Sequence, residues 1–79
     1  MAKRAILLIE AALGKSVEVV SSLKKLAWVR SADRVTPPYD VIAVVEVDSS
    51  NEATEEVQRS LGGVAGITGM VVCPIREAP

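Results

Sequence analysis

The stretch Thr36-Pro37-Pro38-Tyr39-Asp40, which continues into Val41-Ile42-Ala43-Val44-Val45-Glu46-Val47-Asp48, decides the fold of this chain. Five of the seven residues between the two aspartates are Val or Ile, and β-branched side chains favour a pleated strand over a helix. The two prolines have a fixed φ and no N–H, so they belong to a turn that precedes the strand. Alternate strand residues point to opposite faces, and both sets are largely apolar. The sequence therefore predicts a strand that is covered on both sides.

The other segments follow from their hydrophobic periods. A continuous apolar run predicts a buried strand, recurrence at three and four residues predicts an amphipathic helix, and alternation predicts a strand with one covered face. Ser16 and either Ser49 or Ser50 are predicted helix caps, and Gly62-Gly63 is predicted to end the second helix. The predicted elements are a strand over 5–11, a helix over 15–26, an edge strand over 28–35, a helix from about 49 to 61, and a strand over 66–75.

The resulting order is strand, helix, strand, strand, helix, strand, which predicts the ferredoxin-like βαββαβ arrangement of the α+β class. We expect a four-stranded antiparallel sheet in which the first and third strands are central, because their sequences are the least polar. Two helices cover only one face of such a sheet. The other face keeps an apolar set that we expect to be Ile6, Leu8, Ile42, Val44, Met70 and Val72, or the opposite sets. An apolar face of that size predicts face-to-face sheet packing in a homodimer.

Length and composition set limits on function. The chain has 79 residues, a net charge of −1, no histidine and one cysteine, Cys73. We expect one domain over residues 1–79 without a metal site or a cofactor, in a reducing, cytoplasmic compartment. No basic cluster extends beyond Lys3-Arg4 and Lys24-Lys25, so direct nucleic-acid binding is not expected. The longest apolar run, 5–9, is far below the ~20 residues of a membrane span.

The motifs together resemble the effector-binding domain of the Lrp/AsnC family of amino-acid-responsive regulators. They are the first strand with Gly14, Trp28-Val29, the turn at 36–40, the Val-rich strand ending in Asp48, and Gly63-Val64-Ala65-Gly66-Ile67-Thr68. The resemblance implies a stand-alone domain of the dimeric α/β-barrel type, without a helix-turn-helix, that dimerises through its sheets and forms rings of dimers. It also implies a role in transcription regulation through partners, such as a full-length regulator, with an amino-acid effector bound between dimers.

The predicted effector site consists of residues that match the family's turn and its late threonine: Thr36, Pro37, Pro38, Tyr39, Asp40 and Thr68. Asp40 can accept a hydrogen bond from a ligand ammonium group, and Tyr39 offers a hydroxyl beside an apolar ring. The alternative is that Asp40 closes the turn on backbone amides and that Thr68 bonds a neighbouring strand. The family has Gly-x where this chain has Pro37-Pro38, which removes two backbone donors from the turn.

The residues do not favour catalysis, since no nucleophile with a base and no paired carboxylates in a pocket can be identified. We therefore expect a binding module and no enzyme. The alternative is a small dimeric α/β-barrel enzyme of the monooxygenase or isomerase kind, for which Asn51 and a few edge arginines are the available polar groups. A third reading is the ACT-type amino-acid-binding module, which has the same strand order but pairs side by side.

Overall fold

The computed structural model describes residues 3–47 and 53–76. Their elements, in chain order, are β1 (Lys3–Ala11), α1 (Ser16–Lys24), β2 (Val29–Arg34), β3 (Val41–Val47), α2 (Ala53–Leu61) and β4 (Ile67–Pro74). The four strands form one antiparallel sheet in the order β2-β3-β1-β4. The predicted ferredoxin-like fold is confirmed, and the two least polar strands are the central ones.

Both helices pack on the same face of the sheet. The inward residues of β1 and β3, among them Leu7, Ile9 and Val45, are completely buried in one cluster with helix residues. From the helices, this cluster contains Val19, Leu23, Val57 and Leu61. Burial of such side chains contributes roughly 1.5–3 kcal/mol each relative to exposure, so this layer is the main source of stability.

The boundaries of α1 differ from the prediction. The helix begins at Ser16 itself, and Lys15 occupies the N-cap position without a side-chain hydrogen bond, so Ser16 is not the cap. At the other end the helix stops at Lys24, and Leu26 packs against the core from the following turn. The predicted caps Ser49 and Ser50 of α2 lie outside the described residues, whereas the end of α2 at Leu61 agrees with the prediction.

The face of the sheet opposite the helices is apolar at its centre and only partly buried. Register places Ile6 beside Val44 and Leu8 beside Ile42, as the sequence suggested. For β4, the residues predicted first for this face, Met70 and Val72, were wrong. They pair with Ile9 and Leu7, which point toward the helices. Val71 and Cys73 occupy the open side instead. We call the set Ile6, Leu8, Ile42, Val44, Val71 and Cys73 the open face.

Within the described part of the chain, neither helix is long and apolar enough to cross a membrane.

Candidate functional site

The turn between β2 and β3 is attached to the end of β1 through Asp40. The backbone N–H of Asp40 donates to the Ile9 carbonyl at 2.9 Å, and the Asp40 carbonyl accepts from the Val35 N–H at 3.0 Å. Its carboxylate Oδ2 accepts from the Ala11 N–H at 2.8 Å. Asp40 therefore closes its own turn and holds that turn against a strand 29 residues away in sequence.

Thr68 reaches the same place from the other side of β1. Its Oγ1 donates to the Glu10 carbonyl at 3.2 Å. The pairing of β1 with β4 changes register between Glu10 and Ala11, next to this bond. The Ala11 N–H that Asp40 binds lies on the opposite side of β1, beyond Ile9 and Val41, the last pair with β3. The structure thus places Asp40, in the turn before β3, and Thr68, on β4, at consecutive residues of β1 but on its two sides.

The remaining predicted site residues form the outer part of the turn. Thr36, Pro37 and Pro38 are exposed, with a cis peptide bond between the two prolines, and Tyr39 is half-buried. Among the described residues, Oδ1 of Asp40 has no hydrogen-bond partner, so this oxygen is available to a donor from outside. The turn presents an acceptor, a phenol and two proline rings at one end of the sheet, and its role as an effector site stays a prediction.

Three features at this end of the sheet were not predicted from the sequence. Gly66 has a φ of +97°, and its carbonyl accepts from the Ala12 N–H at 2.7 Å. Gly69 lies opposite Glu10, whose Oε1 is 2.6 Å from the point that a Cβ on Gly69 would occupy. Leu13 is fully exposed in the loop after β1. A glycine inside a strand pattern is a signal for close approach, but it does not say which side chain approaches.

The other residues singled out in the sequence have structural roles. Trp28 packs against the core cluster, and its carbonyl accepts from the Glu46 N–H at 2.9 Å. Cys73 is a free, half-buried thiol on the open face. Asp48 and Glu52 of the acidic cluster lie outside the described residues. Elsewhere, in the ranges 3–47 and 53–76, no three acidic, cysteine or histidine side chains come together as a metal site.

Comparison with known proteins gives no match by sequence. No protein-family model matches the chain, and no curated protein matches it.

Solved structures share the fold over nearly the whole chain. A hypothetical protein from Pyrococcus horikoshii, PHS023, is similar with a TM-score of 0.83 at 24% identity, covering 99% of this chain and 93% of that one. The protein TTHA0845 from Thermus thermophilus has a TM-score of 0.85 at 21% identity, with 98% and 96% covered. A transcriptional regulator from Neisseria meningitidis, NMB0573, solved as a complex with L-Met, has a TM-score of 0.80 at 16% identity.

The regulator is the longer protein, since the alignment covers 95% of this chain but 50% of the regulator. At sequence identities this low, the structural similarity establishes the fold. Structures with this fold include Lrp/AsnC-family proteins, so the resemblance inferred from the motifs is confirmed at the level of the fold.

Proposed function

We propose that this chain is an oligomeric effector-binding module of the Lrp/AsnC type, which binds a small molecule such as an amino acid and acts on transcription or metabolism through partner proteins. The observation that carries the proposal is the convergence of Asp40 and Thr68 on the end of β1. These two residues, predicted to bind an effector from motif resemblance alone, bond consecutive residues of β1 from its two sides, although they are 28 positions apart in sequence.

The chemistry of the turn fits an α-amino acid. The ammonium group of such a ligand can donate to Oδ1 of Asp40, because the Ala11 amide donates to the other oxygen, Oδ2. A charge-assisted hydrogen bond of this kind is about twice as strong as a neutral one. Tyr39 and the rings of Pro37 and Pro38 provide apolar surface for the ligand side chain. The L-Met complex of the Neisseria regulator supports this ligand class.

The exposed position of the turn implies that the pocket is completed by another copy. Thr36, Pro37 and Pro38 are all exposed in the single chain, whereas ligand sites in proteins bury most of the ligand surface. We propose that the turn of one dimer meets a neighbouring dimer in a ring, as the family resemblance implies. Effector binding and ring assembly are then coupled, because the ligand contributes to the contact that closes the ring.

The dimer itself follows from the open face. Its six apolar residues lie on four adjacent positions of the two central strands and on two positions of β4. A contiguous exposed apolar surface on a monomer is a binding site or an aggregation hazard. Two such sheets packed face to face lie about 10 Å apart and exclude water from both surfaces.

We further propose that residues 1–79 act as a single effector domain in the cytoplasm and that regulation passes through a partner, such as a full-length regulator of the same fold. Both helices of the described chain cover the sheet through buried side chains such as Leu23 and Leu61. Because both helices pack into the core, neither is available as a DNA-recognition helix. Co-assembly through the open face or the ring contact supplies a route to DNA.

The test is the thermal stability of the purified protein with each of the twenty amino acids, recorded together with oligomer mass by native mass spectrometry. A ligand at 100 times its Kd adds about 2.7 kcal/mol per site, which a domain of this size shows as several degrees. We expect a selective shift by one or a few amino acids, accompanied by a change in assembly size.

Asp40→Asn tests whether the thermal shift depends on the predicted effector site. Asparagine keeps an oxygen for the Ala11 N–H but removes the charge that an ammonium group needs. The matched control is Glu18→Gln, an exposed carboxylate on α1, on the helix side of the sheet, with the same change of charge. We expect the shift to be lost in Asp40→Asn and kept in Glu18→Gln. A shift that survives in Asp40→Asn, or the absence of any shift with an intact oligomer, contradicts the effector site.

A further inference from the structure

We propose that the effector site selects a basic amino acid such as lysine, with the α-ammonium group at Asp40 and the side-chain cation at Glu10, across the end of β1. The inference rests on the proposed function and adds the chemical class of the effector. It follows from the place of Glu10, a second carboxylate beside the residues that the motifs predicted. A ligand with a cation at each end fits two acceptors that lie one side-chain length apart.

The backbone of Glu10 is held by the two residues that carry the proposed site. Asp40 bonds the residue on either side of it, since its N–H donates to the Ile9 carbonyl and its carboxylate accepts from the Ala11 N–H. Thr68 donates to the carbonyl of Glu10 itself. Glu10 therefore belongs to the same site, although nothing in the family's turn motif includes it.

The side chain of Glu10 leans over β4. Glu10 and Gly69 are level with each other in the pairing of the two strands, and Oε1 of Glu10 lies 2.6 Å from the point that a Cβ on Gly69 would occupy. Only a glycine at position 69 leaves this space to the carboxylate. Within residues 3–47 and 53–76 the Glu10 carboxylate makes no hydrogen bond or ion pair, so both oxygens are available to a ligand.

The two carboxylates are spaced for one ligand. Oδ2 of Asp40 is 2.8 Å from the Ala11 nitrogen on the β3 side of β1, while the Glu10 carboxylate lies over β4 on the other side. Neighbouring strands are about 4.8 Å apart, so the two groups are separated by about 7–10 Å. The two nitrogens of lysine are joined by six bonds of about 1.5 Å, which span about 7.5 Å when the chain is extended.

The charges at this end of the sheet favour a cationic effector. Asp33 on β2 is level with Ile42 and adds a third carboxylate to the side of the open face. Arg34 is level with the inward residue Val41 and so lies on the helix side. Lys15 is paired with a glutamate of α1, also on the helix side. The resulting negative potential attracts a ligand with net positive charge and disfavours an acidic one.

Matched ligands test the charge requirement. L-Lysine is compared with L-norleucine, which has the same α-amino acid group and four-carbon chain but no terminal amine. Isothermal titration calorimetry of the wild-type protein gives both affinities. We expect lysine to bind about fivefold tighter, the contribution of a partly exposed ion pair.

Cadaverine, which is lysine without the carboxylate, separates two sources of the same diamine chemistry. We expect it to bind more weakly than lysine. If cadaverine binds more tightly, the effector is a diamine, and the assignment to a basic amino acid is overturned.

Glu10→Gln and Gly69→Ala test whether Glu10 provides the selectivity. The first removes the charge, and the second displaces the carboxylate from its place over β4. In both variants we expect lysine to bind no tighter than norleucine, while norleucine binding is unchanged because Asp40 is retained. The matched control is Asp33→Asn, which removes a carboxylate from the same side of the sheet. At moderate salt its long-range effect is screened, so the preference for lysine is kept.

Three results overturn the basic effector while the amino-acid module of the proposed function stands. They are equal binding of lysine and norleucine to the wild type, an unchanged preference in Glu10→Gln, and an equal loss of preference in Asp33→Asn. If no amino acid binds the wild type, the proposed function fails and this inference fails with it.

Discussion

At the scale of single residues, Asp40 ties the turn before β3 to the end of β1. Its carboxylate accepts from the Ala11 N–H, which lies beyond Ile9 and Val41, the last pair of β1 and β3. The turn motif predicted an aspartate that either binds a ligand or closes the turn on backbone amides. That the amide is the one of Ala11 could not be predicted, because the sequence of β1 does not show where its pairing with β3 ends.

Asp40→Ala is expected to destabilise the fold. The substitution leaves the Ala11 N–H without its acceptor in a partly buried place, which costs about 1–3 kcal/mol. Asp40→Asn retains an acceptor and is expected to cost less. Urea unfolding at a fixed protein concentration measures both, with Glu18→Ala, at an exposed position of α1, as the control. Equal stability of Asp40→Ala and Glu18→Ala would show that the hydrogen bond contributes nothing.

At the scale of elements, the hydrophobic periods were sufficient to predict which helices and strands exist and in what order. They were insufficient to predict where each element begins and ends, or which face of the sheet each β4 residue occupies. The strand over Val41–Val47 was predicted from its β-branched content, and its central place in the sheet from the order of the elements and its low polarity. The assignment of Met70 and Val72 to the open face was wrong, because β4 is apolar at nearly every position and its face depends on pairing with β1. The cap at Ser16 was wrong because Lys15 already has helical backbone angles.

The loop between α2 and β4 contains a glycine that no other residue can replace without strain. Gly66 has a φ of +97°, and an added Cβ would lie 3.1 Å from both the Lys15 Cβ and the Val19 Cγ2. We expect Gly66→Ala to lower the free energy of unfolding by more than about 1 kcal/mol, from backbone strain and crowding.

Gly63→Ala is the matched control in the same loop. Gly63 has no positive φ, and nothing lies within 4 Å of its added Cβ. Alanine there is expected to be neutral or slightly stabilising, because it restricts the unfolded chain. Chemical denaturation of the two variants provides the comparison, and an equal effect of both substitutions would mean that the conformation of Gly66 is not required.

At the scale of the whole molecule, the sequence predicted that the sheet needs a second cover, since two helices cannot protect both faces of four strands. The structure assigns the open face to named residues, and alternation on β1 and β3 agrees with the expected set. What covers that face could not be predicted from the hydrophobic pattern.

Leu8→Lys is expected to convert the dimer into a folded monomer. Leu8 is half-buried at the centre of the open face, with Ile42 and Val71 beside it. A lysine there can extend its charge into water in the single chain, but in the packed dimer the charge is buried twice without a partner, which costs several kcal/mol. Sedimentation velocity measures the mass, and circular dichroism shows that the secondary structure is retained.

Val17→Lys is the control for this change, because Val17 is 58% exposed on α1, away from the open face. It introduces the same charge and is expected to leave the dimer intact. Thermal unfolding adds an independent readout, since the transition temperature of a dimer rises with protein concentration and that of a monomer does not. We expect this concentration dependence in the wild type and in Val17→Lys, and its loss in Leu8→Lys. If Leu8→Lys dimerises as tightly as the wild type, the open face is not the dimer interface, and the exposed Leu13 and Val17 become the next surface to substitute.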